Sequence, residues 1–256
     1  MADAFASHWD SRTCGQAGRP GRDPLGLSVC PGLLELSDVA SDCSGDLAAS
    51  AAVGSVRCRQ ILVELLRPLG EAAGSWTDKL VDQFGSLGAV LAAEPHALAR
   101  TVGDEGAVRQ LRAVRAAMLQ ALRMEVLAGP IFSSSQSLIA YLFAEMAHLP
   151  TERLRVLFLN ARNRLLCDET MAEGSVSEAP IYPREIMRRS LEVGATALIL
   201  AHNHPSGDPR PSHGDMEATR RIVEAGRALD ITLHDHVIIA RSDWISFRAL
   251  GLLHPD

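Results

Sequence analysis

No CxxC pair occurs among the five cysteines, Cys14, Cys30, Cys43, Cys58 and Cys167. That absence removes a zinc ribbon and a dithiol redox site from consideration. The number is odd, the spacings are wide, and four of the five fall in the first 58 residues. Ordinary reduced thiols are therefore expected rather than a disulfide framework. Long apolar runs are also missing: the longest, around Ala195–Ala201, is strand-sized and far short of a membrane span. The opening MADAFASHWDSRTCGQAG lacks the charged start and continuous apolar stretch of a secretory signal. The expected location is cytoplasmic. There is no excess of positive charge, the net being −6 over 256 residues. Such a balance exerts no global pull towards nucleic acid or anionic membrane. Local basic patches are left open by arginines at 109–123 and 184–189.

Three stretches differ in pattern. Residues 1–56 are rich in Gly, Ser, Ala, Asp and Pro without a lasting apolar period, and read as a disordered tail. Residues 57–130 carry helical spacing, as in RCRQILVELLRPLG, with breaks at Pro68, Gly70 and Gly85. Thr77 and Asp78 are expected to cap one of these helices. This stretch reads as a small all-helical domain. From 131 to 256 the period alternates. SSQSLIAYLFAEMAHL is an amphipathic helix, and ERLRVLFLNARNRLL reads as strand, turn and strand. PREIMRRSLEVG and SHGDMEATRRIVEAGRALD are helices, while ATALILA, HDHVIIA and DWISF are strands. Alternating strands and helices indicate an α/β domain around a mixed sheet.

The chemistry lies in AHNHPSGDPRPSHGD. His202 and His204 are one residue apart, so on an extended segment both imidazoles point to the same side. They follow the apolar run ATALILA, at a strand end, where sites usually collect. The next nine residues hold three prolines and a glycine, a stiff turning loop that suits the return of a third group. That group is Asp215. Two imidazoles and a carboxylate leave a fourth position open, the pattern of a catalytic zinc site. A blander reading stands beside it. Ser212 and Asp215 also fit a helix capping box, with Ser212 as N-cap and Asp215 as the N3 acid. The two readings are compatible. A zinc site of this kind needs a general base, and Glu152, Asp168, Glu169, Glu173, Glu178 and Glu185 all lie upstream in the same domain.

HNHPSGDPRPSHGD resembles the signature of the RadC family, within the JAMM (MPN) metallopeptidase-like superfamily. The likeness extends through IYPREIMRRSLEVGATALILAHNHPSG, FLNARNRLL, EGSV at 173–176, DHVII at 235–239 and SFRALGLL, and covers about 131–256. It implies a cytidine-deaminase-like mixed sheet flanked by helices. It further implies that His202, His204 and Asp215 hold zinc, that Ser212 stabilises an oxyanion, and that Glu152 is the general base. The implied activity is zinc-dependent amide hydrolysis of metallopeptidase or isopeptidase type. Asp235 and His236, just ahead of the VII strand, are expected to support a ligand imidazole. His213 is expected to point outwards.

The resemblance also implies that the helical region is like a helix-hairpin-helix module. Here the turn reads Val102-Gly103-Asp104-Glu105-Gly106, and its two acids would repel phosphate. DNA is therefore a weaker expectation as partner than a peptide or protein, and no membrane partner is implied. Two other functions compete with hydrolysis. One is a DNA-repair-associated DNA-binding protein or metal-dependent nuclease. The other is a zinc-binding interaction module without turnover.

Overall fold

The computed structural model of the chain describes residues 47–131, 135–174 and 181–253. Residues Ala48–Asp256 form one compact unit. Its first part is helical: α1 Leu47–Leu66, a 3-10 turn Arg67–Leu69, α2 Ala73–Phe84, α3 Leu87–Ala92, α4 Pro95–Val102 and α5 Glu105–Leu127. Then follow α6 Ser135–Met146, β1 Arg153–Leu159, β2 Leu165–Glu173, α7 Pro183–Val193, β3 Ala197–Asn203, α8 His213–Arg227, β4 Thr232–Ile239 and β5 Trp244–Ser246. Among the described residues, no helix is long and apolar enough to cross a membrane.

Two helix starts differ from the sequence expectation. Helix α1 begins nine residues before Val56, inside the stretch read as a tail. LAASAAV has strong helix formers and no proline, so the helix extends back through it. The remainder of that stretch, 1–46, lies outside the described residues. Helix α2 begins at Ala73, so Thr77 sits inside the helix and is buried rather than capping it. Helices α1–α5 share an apolar cluster that includes Leu62, Leu66, Leu80, Val90, Leu98 and Leu111.

The five strands lie in the order β2-β1-β3-β4-β5. Only β3 and β4 run parallel, joined through α8; the other three pairings are antiparallel. Helices cover both faces, which is why every residue of β3 is buried. One face carries Leu157, Leu159, Ile199, Ala201, Val237 and Ile239 against Leu138, Leu142 and Met146 of α6. The other carries Leu154, Val156, Phe158, Leu198 and Leu200 against Ile186 and Met187 of α7 and Ile222 of α8.

The register of β3 and β4 shifts by one residue, pairing Leu198 with Leu233 and Ile199 with Asp235. His234 is the extra residue of this bulge. A bulge resets the alternation of side chains. Leu233 therefore packs on the α7–α8 face, and His236, three residues on and on the opposite face under strict alternation, returns to that same face opposite Leu200.

Candidate metal centre

His202 continues the Leu198–Leu200 row of β3 and so emerges on the α7–α8 face. His204 follows just past the strand end, its amide bonded to Ile239 O at 2.9 Å. The loop then turns through Gly207, whose φ of +89° needs a residue without a Cβ. His204 Nδ1 lies 2.7 Å from the carbonyl of Asp208, to which it donates. His202 Nδ1 lies 2.8 Å from His236 Nε2. Both imidazoles thus use Nδ1 outwards and turn Nε2 inwards, 2.9 Å apart.

Helix α8 brings the third group. Ser212 is its N-cap in a complete capping box: its hydroxyl oxygen accepts from Asp215 N, and its own amide donates to Asp215 Oδ2 at 2.8 Å. The hydroxyl proton also goes to Asp215 Oδ2, at 2.6 Å. Asp215 Oδ1 stays free of Ser212 and sits 3.3 Å from His202 Nε2, while Oδ2 sits 3.6 Å from His204 Nε2. Capping and convergence on the histidines are compatible, as one carboxylate does both.

This donor set fits a divalent ion. In a tetrahedral zinc site with bonds of about 2.0–2.1 Å, neighbouring donors stand roughly 3.3 Å apart. Here His202 Nε2 lies 2.9 Å from His204 Nε2 and 3.3 Å from Asp215 Oδ1, near that value, while His204 Nε2 approaches the other carboxylate oxygen, Oδ2, at 3.6 Å. His202, His204 and Asp215 are a group able to hold a metal ion, with all three donor atoms within 4.8 Å of one another. The protonation tendencies of His202 and Asp215 agree with this, and that of His204 runs the other way. Burial pushes the His202 imidazole down to about 4. Burial opposes charge on His204 too, but the Asp215 carboxylate and Asp208 carbonyl outweigh it and raise its pKa. Burial works against ionised Asp215, yet His204, His202 and Ser212 hold it below the usual carboxylate range. A buried neutral imidazole beside an ionised carboxylate suits metal ligation.

Glu152 is delivered by β1. Leu154 pairs with His202 in the antiparallel β1–β3 register, and continuing two residues along each strand sets Glu152 opposite His204. Its Oε1 is 3.9 Å from His204 Nε2, and its side chain is only 12% exposed. Asn203, between the two histidines, fixes this approach. Its Oδ1 accepts from Arg153 N at 2.9 Å and its Nδ2 donates to Thr151 O at 3.0 Å. The amide of Gly174 binds Glu152 O from the β2 side at 2.9 Å.

The remaining candidates lie elsewhere. Adjacent strand residues point to opposite faces, and Asp235 turns away from the ligands. Its carboxylate takes the Ser246 hydroxyl and the amides of His236 and Arg248. Of that pair, His236 is the residue that reaches a ligand imidazole. Asp168 binds Tyr141 and Arg155, Glu169 binds Arg189, Glu173 binds Arg153, and Glu185 binds Arg188. Glu178 lies outside the described residues. His213 is exposed at the first turn of α8. In the helical part, Asp104 caps α5 by accepting from Ala107 N at 2.8 Å, and Glu105 pairs with Arg109. A cleft of about 520 Å³ lined by Lys79, Phe84, Arg100 and Thr101 contains none of the site residues. Two contributors were not legible as such in the sequence. Asn203 is marked in the sequence only by its place between the two histidines, and Thr219, which touches His236, only by its place one helical turn after Asp215.

Comparison with known proteins identifies the family. The family model described as a RadC-like JAB domain matches residues 132–252. A UPF0758 protein of Rhodobacter capsulatus is 49% identical over 176 residues, covering 68% of this chain and 82% of that protein. Another, of Ruegeria pomeroyi, is 45% identical over 175 residues, covering 68% and 78%. With this likeness spanning the sheet, both histidines and the α8 cap, the chain belongs to the RadC family and carries its JAB domain.

Proposed function

We propose that the chain is a zinc-dependent hydrolase of peptide or protein amide bonds. The observation that carries the reading is the convergence of His202 Nε2, His204 Nε2 and Asp215 Oδ1, with the Glu152 carboxylate beside them. A divalent ion, which these three groups would hold, would supply a water of lowered pKa and polarisation of the scissile carbonyl. Glu152 takes the proton of the attacking water on Oε1 and passes it to the leaving amine. Asn203 holds the backbone on both sides of Glu152 so that this carboxylate stays aimed at the ligand side. Ser212 holds Asp215. For its hydroxyl to reach a developing oxyanion it must rotate away from Asp215 Oδ2, which then keeps the Ser212 amide.

The test is metal content of the purified full chain, followed by peptide and isopeptide hydrolysis, with single- and double-stranded DNA as control substrates. A single zinc ion per chain is expected, lost in His202→Ala and Asp215→Ala. Glu152→Gln is expected to keep zinc and lose amide hydrolysis. A wild-type protein that binds no divalent ion, or that cleaves DNA and no amide, overturns the reading.

A further inference from the structure

Behind His202 lies a second, buried line of polar side chains. His202 Nδ1 meets His236 Nε2 at 2.8 Å. His236 Nδ1 meets Thr219 Oγ1 at 2.6 Å, and Thr219 Oγ1 reaches the carbonyl of Asp215 at 2.6 Å. The three side chains belong to residues 3%, 0% and 1% exposed. Phe247 stacks on the His236 ring, its centroid 4.6 Å away at 25°. Water has no access to this line, so the proton positions must satisfy one another.

Counting protons gives the line a direction. The carbonyl of Asp215 can only accept, so the Thr219 hydroxyl donates to it. Thr219 Oγ1 must then accept from His236, which places the His236 proton on Nδ1. His236 Nε2 is left as an acceptor, and His202 must donate to it from Nδ1. That tautomer leaves the His202 Nε2 lone pair free, facing His204 and Asp215. The reverse order would put a proton on His202 Nε2 and block it as a ligand. It would also leave the Asp215 carbonyl without the Thr219 donor.

From this geometry we infer that His236 and Thr219 are positioning residues, forming a one-way hydrogen-bond relay that locks His202 in its ligand-competent tautomer. The same relay ties that tautomer to the first turn of α8, the turn that carries Asp215. One chain of donors therefore ties the His202 ring on β3 to the backbone of Asp215 on α8. This inference rests on the metal-centre reading for its consequence, but the tautomer itself is a property of the metal-free protein.

The experiment is nitrogen-15 NMR of the histidine rings in the full chain after chelator treatment, with zinc affinity measured by chelator competition. Wild type and Thr219→Ser are expected to show His202 protonated on Nδ1. Thr219→Val, nearly isosteric, removes the directing hydroxyl and is expected to populate the Nε2–H tautomer. It should also weaken zinc binding about 10–100-fold, as should His236→Phe. Thr219→Val keeps the test decisive if His236→Phe does not fold. A wild-type His202 protonated on Nε2, or a Thr219→Val protein with unchanged tautomer and unchanged zinc affinity, overturns the relay. A wild type that shows the Nδ1–H tautomer but binds no zinc overturns the metal reading and leaves the relay standing.

Discussion

The side-chain amide of Asn203 grips the chain on both sides of Glu152, accepting from Arg153 N and donating to Thr151 O. Since Asn203 also separates His202 from His204, the residue between the two converging histidines anchors the strand that brings the carboxylate. The relation predicts a separable phenotype. Asn203→Ala leaves part-buried backbone groups without their side-chain partner and should cost about 1 kcal/mol in a denaturant titration. Amide exchange at Arg153 should accelerate. Zinc binding should survive, because no ligand atom is removed, whereas amide hydrolysis should fall. Unchanged exchange at Arg153 would contradict the grip.

Ser212 caps α8 and holds Asp215 at once. Ser212→Ala should lower stability by about 1 kcal/mol, and Ser212→Gly by only a few tenths. Thermal or urea unfolding of metal-free protein measures this. Zinc affinity should drop in both variants, because Asp215 Oδ2 loses its hydroxyl partner. Equal affinity in all three proteins would show that the amide alone suffices to orient the carboxylate.

Gly226 and Gly88 make a paired prediction. A Cβ on Gly226 would meet the carbonyl oxygen of Ile231 at 2.3 Å, and Ile231 N also bonds to Gly226 O. That is backbone against backbone, so the α8–β4 connection must shift. Gly226→Ala should destabilise by about 1–3 kcal/mol. A Cβ on Gly88 meets the His148 ring at the same distance. A side chain can turn aside, and the removal of a helix glycine offsets part of the strain. Gly88→Ala should therefore cost less. The opposite ranking in urea midpoints would refute the argument.

The bulge residue His234 places its Nε2 2.8 Å from Asn163 Oδ1, in the β1–β2 turn. Burial, with Arg248 nearby, pushes its pKa down to about 4 from an ordinary 6.5. The unfolded chain thus binds a proton that the folded one refuses. Stability from this group is complete above about pH 6.5 and declines as pH falls towards about 4. His202 is lowered to about 4 as well, and His148 and His236 are also lowered. Replacing His234 with Gln should therefore shrink the acid loss without abolishing it. Urea midpoints at pH 7 and pH 5 measure this, and an unchanged slope would assign the acid sensitivity to the other histidines.

The sequence alone determined the α/β alternation, because strand and helix periods are local properties of the apolar pattern. It also singled out His202, His204 and Asp215 as the residues that converge. One residue between two histidines on a strand forces them to one side, and Ser212 and Asp215 at capping distance force the carboxylate back onto its own helix start. The beginnings of α1 and α2 were misread, since Ala-rich sequence extends a helix without an apolar stripe and Thr77 resembles a cap when only its neighbours are seen. Only the tertiary structure decided the rest. Glu152 meets His204 because β1 and β3 pair antiparallel in one register, and register is a relation between segments. Of Asp235 and His236, His236 is the one that meets His202, because the bulge at His234 sets which of them faces the α7–α8 side. Thr219 enters because α8 packs over β4. Each of these depends on where separate segments meet, which spacing along one chain does not encode.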